Sequence, residues 1–453
     1  MMVFFWEARD YQIASKILST LSAARKRREW HAQYLPFRAE TVSQLMVQYL
    51  LITANVGSLF EPDARLHNSW VKTVADQVNG VDPSFFVIHL QETGGKKFTE
   101  CSKQVPIIIN HLANALPKFD LLRAYVDIDY EAIEYTALGA LCFIKRSLWS
   151  SVSQFNFHTK KYEQLTTPTE VVTEGLENYP YVIKHKFPKD FWPSIKWGRK
   201  GYMQTRWKIA NKVFDFVNAH LFHDESNLAP IHDNPTLYSE NRKRALDFVL
   251  SELSAMENGC TPMLFVFGDL NFRLDSRSFL NRLTESTNPH SVEQEQMGSL
   301  ADGLQAQNGN LQVAAHPSEN LRRTVSAIEF RRDSDSDDSQ NSCVLRIEKK
   351  KFDYFNHKKL LDDWKSYRDD DKEAESFKSM FEMNINFPPT YPWSEDPENS
   401  ETLMKTRAPA WCDRVLMNKA AFSFVKDGEP AYKSFGMETC TGDHKPVMLA
   451  FNI

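Results

Sequence analysis

Short apolar runs recur along the chain, and most of them stop on a polar residue. "YLLITAN" stops at Asn55, "FFVIHLQE" at Glu92, "VFDFVNAH" at His220, and "MLFVFGDLN" at Asp269 and Asn271. Runs this short, bounded by polar residues, predict buried strands. "TALGALCFIK" (136–145) and "VLM" (415–417) read the same way. "PVMLAFNI" (446–453) is a strand that follows its polar group, Asp443–His444, instead of preceding it. Between the runs the period changes. Trp70, Val71, Val74 and Val78 share one face of a helix near 67–80, and Leu246, Val249, Leu250 and Leu253 share one near 241–257. Strands interleaved with helices predict an α/β class.

Two segments break the pattern. Residues about 286–342 hold a single aromatic residue, Phe330, and contain "RRDSDSDDSQNS". This reads as a polar insert, disordered or looped on the surface. Its "RRTVS" (322–326) has the form of a basophilic kinase site, although a solvated loop is the preferred reading. Residues 1–45 form an N-terminal extension of unknown function, with the cluster Arg25, Lys26, Arg27 and Arg28 and apolar residues at Ile13, Ile17, Leu18 and Leu21. A membrane-surface or targeting helix is one reading there. A loosely held extension outside the catalytic unit of 46–453 is the preferred one.

The chain has 453 residues, 42% hydrophobic and 25% charged, which suits a large globular core. A net charge of −5 argues against a general nucleic-acid binder but leaves room for a local basic pocket. The 6 cysteines are scattered without a CxxC pair, so zinc is not indicated and a reducing cytosol is. No apolar run reaches the length of a membrane span, and no lipidation box is read at the C-terminus.

The polar residues that end the runs carry the chemistry. Any one Asp or Asn after a strand is ordinary turn material. Together, Asn55, Glu92, Asp269, Asn271 and Asp443 are hard oxygen donors of the kind magnesium prefers. His220 and His444 sit in similar settings. No serine or cysteine lies in a nucleophile elbow, and no GxxxxGK[ST] loop is present. The simplest chemistry is metal-assisted attack of water on a phosphate ester.

The motif set resembles that of the inositol polyphosphate 5-phosphatases, of the deoxyribonuclease I-like endonuclease/exonuclease/phosphatase superfamily. "FGDLNFRLD" (267–275), "PAWCDRVLM" (409–417) and "GDHKPV" (442–447) carry the resemblance, and "TANVGSLF" (53–60), "QETGGKKF" (91–98) and "VNAHLFH" (217–223) follow in order. It covers about 45–453 apart from the insert. The wording from Thr53 to Ala210 is nearest the type I class, which acts on soluble inositol phosphates and so terminates calcium signalling. The resemblance implies a four-layer α/β sandwich, two packed mixed sheets flanked by helices. It implies that Asp269 orients or deprotonates the attacking water and that Asn271 contacts that water or the phosphoryl group. Glu92 is then the main Mg2+ ligand, with Asn55 and Asp443 beside it. His444, set by Asp413, donates to a phosphate oxygen, and His220 makes a second phosphate contact.

A polyphosphorylated ring needs cations around it. Lys96, Lys97, Arg199, Lys200, Arg206, Arg407, Arg414 and Lys445, with Tyr391, are the substrate-side candidates. Arg273 and Arg414 have even claims as ion-pair partners. Asp275 reads as a capping acid, Cys412 as a buried thiol, His89 and His223 as structural, and Trp411 as packing. One departure is plain. Lipid-acting members carry a "PTYKY"-like segment, and here "PPTYPWSED" (388–396) puts Pro392 where they have the lysine. The expectation is therefore a monomeric, cytoplasmic enzyme on soluble inositol tris- and tetrakisphosphates, peripheral at membranes at most. A lipid 5-phosphatase is the runner-up, and a nuclease of the superfamily stands behind it.

Overall fold

The computed structural model describes residues 47–191, 198–232, 234–256, 261–296, 322–332 and 342–452. The N-terminal segment 1–45 lies outside them. Two large mixed sheets form the centre. One has seven strands in the order Ala431–Ser434, Val447–Asn452, Gln48–Asn55, Phe85–Gln91, Gly139–Ile144, Leu121–Val126 and Thr169–Val172. The other runs Met380–Phe381, Asp413–Asn418, Met263–Asp269, Lys212–His220, Gly201–Ile209, Val152–Asn156 and Lys161–Gln164, with Ile183–Lys186 also paired to Gly201–Ile209.

The central strands are apolar on both faces because both faces are covered. Tyr49, Leu51, Phe85 and Val87 of the first sheet meet Phe214, Phe216, Phe265 and Phe267 of the second in an aromatic layer between the sheets. The alternate residues Leu50, Ile52, Phe86 and Ile88 face outward onto Trp70, Val74 and Val78 of the Ala64–Val81 helix and Ile108 and Leu112 of Val105–Ala115. Val217 and Val266 face the other way, onto Leu246, Val249 and Leu253 of the Leu237–Ala255 helix. Four layers result, helix, sheet, sheet, helix, as the motifs imply. Among the described residues no helix is long and apolar enough to cross a membrane.

Strand direction explains the polar ends. Gln48–Asn55 and Phe85–Gln91 are parallel, with Asn55 opposite Gln91. Lys212–His220 and Met263–Asp269 are parallel, with His220 opposite Asp269. Each of these strands therefore brings its C-terminal residue to the same edge. Asp413–Asn418 and Val447–Asn452 are antiparallel to their neighbours, with Asp413 opposite Asp269 and Val447 opposite Thr53. Their N-terminal ends reach that edge, which is why Asp443–His444 precedes its strand.

Part of the insert departs from what its composition predicts, while residues 297–321 and 333–341, with most of "RRDSDSDDSQNS", lie outside the described residues. Asn288–Gln296 and Arg322–Arg331 are strands, and with Cys343–Glu348 and Lys351–Tyr354 they form a four-stranded antiparallel sheet. The "RRTVS" segment lies in that sheet and not in a loop. Charge is accommodated across strands: the buried Glu329 carboxylate takes both Arg331 and Arg346, and Arg346 also reaches Glu348 at 2.7 Å. Leu345 and Ile347, with Phe330 packed beside them, supply the apolar face, which meets Phe279 and Leu280 of the Ser276–Leu283 helix. Cross-strand ion pairs and a thin apolar row are enough to order a sequence that averages as polar.

Candidate active site

Asp269 is the hub. Its Oδ2 accepts from Asn55 Nδ2 at 3.1 Å and lies 3.2 Å from His220 Nε2 and 3.7 Å from His444 Nε2. Its Oδ1 accepts the Asn271 backbone N–H at 3.0 Å. Burial alone would raise this carboxyl, but His444, His220 and Lys200 hold it well below the usual carboxylate range. His444 donates through Nδ1 to Asp413 Oδ2 at 2.8 Å. Burial would favour the neutral ring, yet Asp413 and Asp269 push His444 up to about 10, so it is an imidazolium at neutral pH. Asp413 takes further support from Thr390, whose Oγ1 accepts the backbone N–H groups of Cys412 and Asp413 at 3.1 and 3.2 Å. Tyr391 lies against the His444 ring, centroids 4.8 Å apart.

Glu92 and Asn271 both sit just beyond strand ends with positive φ, 58° and 54°. Non-glycine residues rarely adopt this region, and such strain gathers at functional sites. Glu92 is partly enclosed. Desolvation would raise its carboxyl, but His220, Lys200, Arg199 and His444 hold it at about 2. Arg199 Nη2 lies 3.8 Å from Glu92 and its Nη1 donates to Gly95 O at 2.9 Å. Lys200 Nζ meets His220 Nε2 directly, and burial depresses its ammonium to about 8 although Asp269 and Glu92 oppose this.

A hard divalent cation fits the donors around Glu92. A Cβ on Gly57 would stand 2.7 Å from Glu92 Oε2 and 3.5 Å from Asn55 Oδ1, so the glycine leaves a cradle between a carboxylate and an amide oxygen. Asp443 faces the same region. Burial raises its carboxyl, His444 opposes that, and Glu92 raises it further, which is the repulsion a cation would relieve.

Most of the expected constellation is thus brought together: Asn55, Glu92, His220, Asp269, Asn271, Asp413, Asp443 and His444, with Arg199, Lys200 and Tyr391. Asn271 needs refinement, because its Nδ2 donates to Leu221 O at 3.1 Å and its Oδ1 accepts from Arg273 at 2.9 Å. Its first task here is to shape the turn that presents Asp269. Arg273, which the sequence left even, joins the site through Asn271, the Cys412 Sγ at 2.9 Å and the Tyr391 ring at 4.4 Å.

Three substrate candidates are corrected. Arg206 is spent on Asp215 at 2.6 Å, five positions along the strand pair from the Gly201–His220 register point at the catalytic edge. Arg414 is buried between Asp371 and Glu382 at 2.9 and 2.5 Å. Lys445 turns away from the mouth to donate to Met437 O and Thr439 O at 2.7 and 2.9 Å. Each sits beside a motif, but burial made each an internal donor. Lys97 is solvent-exposed, and Lys96 pairs with Glu395 at 2.7 Å. Arg407 bonds backbone carbonyls of Lys349 and Asp224, both at 3.2 Å, near Tyr391. His223, read as structural, is exposed near Lys200 and Arg273.

The remaining assignments hold. Asp275 caps the Ser276–Leu283 helix through Ser278 N at 2.8 Å, Trp411 and Cys412 are buried, and His89 stacks on Phe267. Sequence reasoning missed two polar supports. Thr390 has no signal beyond its place in "PPTYP". Asn218, inside "VNAH", donates to Leu90 O and Gly139 O and accepts from Gln91, tying the two sheets together beneath the site.

Known proteins similar to this chain point to its family. The model of the endonuclease/exonuclease/phosphatase family 2 matches residues 52–320 and 330–450. A Caenorhabditis elegans protein named a probable type I inositol 1,4,5-trisphosphate 5-phosphatase is 88% identical over 409 residues, 90% of this chain and 100% of that one. The human inositol polyphosphate-5-phosphatase A is 38% identical over 414 residues, 89% of this chain and 93% of the relative. Among solved structures, a synaptojanin inositol polyphosphate 5-phosphatase domain aligns over 90% of this chain and 84% of that one, at 13% identity and TM-score 0.45. With the matched model spanning most of the catalytic unit and curated relatives aligned nearly end to end, the chain belongs to the type I inositol polyphosphate 5-phosphatases of the endonuclease/exonuclease/phosphatase family.

Proposed function

We propose that the protein removes the 5-phosphate from soluble inositol polyphosphates, inositol 1,4,5-trisphosphate and 1,3,4,5-tetrakisphosphate, in a Mg2+-dependent reaction. The observation that carries this reading is the pairing of one buried carboxylate, Asp269, with a cationic His444 whose far nitrogen is anchored by Asp413. Asp269 is held so acidic that it is a weak base before reaction. Its role is to orient the attacking water and to accept that water's proton as the new O–P bond forms. His444 presents Nε2–H toward the space beside Asp269, where it stabilises negative charge on the phosphoryl oxygens. Lys200 and His220 add positive charge on the same side. Bound at Glu92 with Asn55 and Asp443, Mg2+ would neutralise charge as the phosphate ester breaks.

The soluble preference is supported by Pro392, which supplies no cation where lipid-acting members have one, and by the type I relatives. The test is phosphate release from a panel of soluble and lipid inositides, with Mg2+ and with excess chelator. Full turnover in chelator ends the metal assignment. Better kcat/KM on the 4,5-bisphosphate lipid in mixed micelles than on the soluble trisphosphate ends the soluble assignment. Asp269→Asn, nearly isosteric, should keep the fold and lose about 10²-fold or more in kcat; near-normal kcat would make Asp269 structural.

A further inference from the structure

The hairpin joining Cys343–Glu348 to Lys351–Tyr354 closes with two residues, Lys349 and Lys350, since Glu348 pairs with Lys351. Two-residue hairpin turns favour Asn-Gly or Gly-containing pairs with positive φ, because those match the twist of the strands. Neither lysine has positive φ. The turn therefore goes against its local preference, and it is held from outside. Asn227 donates its backbone N–H to Lys349 O at 3.0 Å. Its side-chain amide serves Glu348 O, Lys351 O and Thr406 O at 3.2, 3.1 and 3.0 Å. Arg407 adds a bond to Lys349 O at 3.2 Å. A local conflict maintained by a dedicated clamp marks a site kept for something other than stability.

The clamp also fixes where the turn sits. Asn227 is on the loop that leaves His220, and Arg407 bonds Asp224 O on that loop. A cavity of about 50 Å³, lined by Arg273, Arg407, Asp224 and Asn227 together with Ile347 and Phe352 of the hairpin, lies between the hairpin and the loop that leaves His220. Arg273 covers the Tyr391 ring, which lies on His444. Lys349 and Lys350 are exposed, and neither is paired with a carboxylate among the described residues. The hairpin's own acids are committed elsewhere, Glu348 to Arg346 and Asp353 to Lys351 and Lys405.

We propose that the Lys349–Lys350 turn is an outer cation station of the catalytic mouth, which attracts and holds phosphate groups of a clustered phosphomonoester that the catalytic pocket does not itself engage. The inference rests on the inositol polyphosphate reading. A molecule of net charge −5 repels such a substrate at long range, so cations near the mouth must focus it. It also supplies positive charge from a different element than the one Pro392 interrupts.

The experiment compares the wild type with the Lys349→Gln/Lys350→Gln and Lys349→Arg/Lys350→Arg double variants. Phosphate release is measured from soluble inositol 1,4,5-trisphosphate and from the 4,5-bisphosphate lipid in micelles, at several salt concentrations. The Gln pair should raise KM about tenfold with kcat nearly constant, and flatten the salt dependence of kcat/KM, while the Arg pair restores both. A rise confined to the soluble substrate makes free inositol phosphate the ligand, and one confined to micelles makes it the lipid headgroup. In parallel, inositol hexakisphosphate binding is measured by calorimetry, which does not depend on turnover, and should weaken about tenfold in the Gln pair. Unchanged KM and unchanged hexakisphosphate affinity, with unchanged melting temperature, overturn the proposal. A wild type that releases no phosphate from any inositide sinks the 5-phosphatase reading instead, and the calorimetric comparison still decides this one.

Discussion

At the scale of the residue, the site works by setting charge against burial. His444 is the clearest case, because Asp413 and Asp269 together keep a buried imidazole protonated. A group with a raised pKa is charged below that value and loses its proton as pH rises through it, so an activity that needs the imidazolium should persist to about pH 9–10. Asp413→Asn removes the larger carboxylate influence. The alkaline limb should then fall by at least about one unit toward the ordinary histidine value, with kcat at neutral pH down about 10²-fold and KM little changed. A pH–kcat profile superimposable on the wild type would mean that Asp413 does not hold the ring. Donor residues at strand ends were legible because their side-chain type alone states a chemistry: Glu92, Asp269 and His444 are rarely idle where an apolar strand stops. Cations were not, because a lysine or arginine beside a motif serves substrate or an internal carboxylate equally well, and only burial decides. Arg206 shows the difference. Arg206→Gln takes the cation from the buried Asp215 carboxylate, which keeps the Gln204 amide at 3.1 Å, and should cost about 3–5 kcal/mol, seen in the melting temperature with KM unchanged. A raised KM in a variant of unchanged stability would return Arg206 to the substrate side.

At the scale of the element, the strands and helices of the two sheets were readable from period and length, since strands buried on both faces must be apolar throughout. The additional sheet was not. Its strands Asn288–Gln296 and Arg322–Arg331 earn their place by pairing with Cys343–Glu348, and the ion pairs of Glu329 satisfy charges that composition counts as disorder-promoting. Contacts across strands are invisible to a linear window. Two deletions separate the halves of the insert. Removing 297–321 shortens a connection and, because loop closure depends weakly on length, should leave activity and melting temperature near those of the full chain. Removing 288–331 strips a partner strand from Cys343–Glu348 and takes away Phe330 from beside Leu345 and Ile347, a loss of apolar burial worth about 1.5–3 kcal/mol. That protein should melt several degrees lower and aggregate from its open edge. Equal stability of the two deletions, read by thermal unfolding, would show that the sheet is an ornament of the fold and not part of its support.

At the scale of the whole molecule, two sheets turn their polar ends to one edge, and the price is a crowd of buried charges, carboxylates and cations together. Glu92 raises the Asp443 carboxyl there, while His220, Lys200, Arg199 and His444 keep Glu92 itself ionised. The folded protein is the state that gathers them; the unfolded chain disperses them. A divalent cation at Glu92 therefore binds the native state selectively and raises its stability as RT ln(1 + [L]/Kd), about 2.7 kcal/mol at a hundredfold excess over Kd. Saturating Mg2+ should accordingly raise the melting temperature, and excess chelator should reverse the rise and abolish phosphate release together. Glu92→Gln keeps the size of the side chain and removes its charge. It should lose the Mg2+-dependent shift almost entirely and melt below the metal-free wild type, because a carboxyl held at about 2 by the cations around it stabilises the fold through its charge at neutral pH. The Mg2+ shift decides: a purely structural Glu92, paired with Arg199 at 3.8 Å, would also lower stability when neutralised but leave that shift intact. Calorimetric melting of the two proteins with and without Mg2+ tells these cases apart without an activity assay, and a Mg2+ shift that survives Glu92→Gln would move the cation away from the cradle beside Gly57.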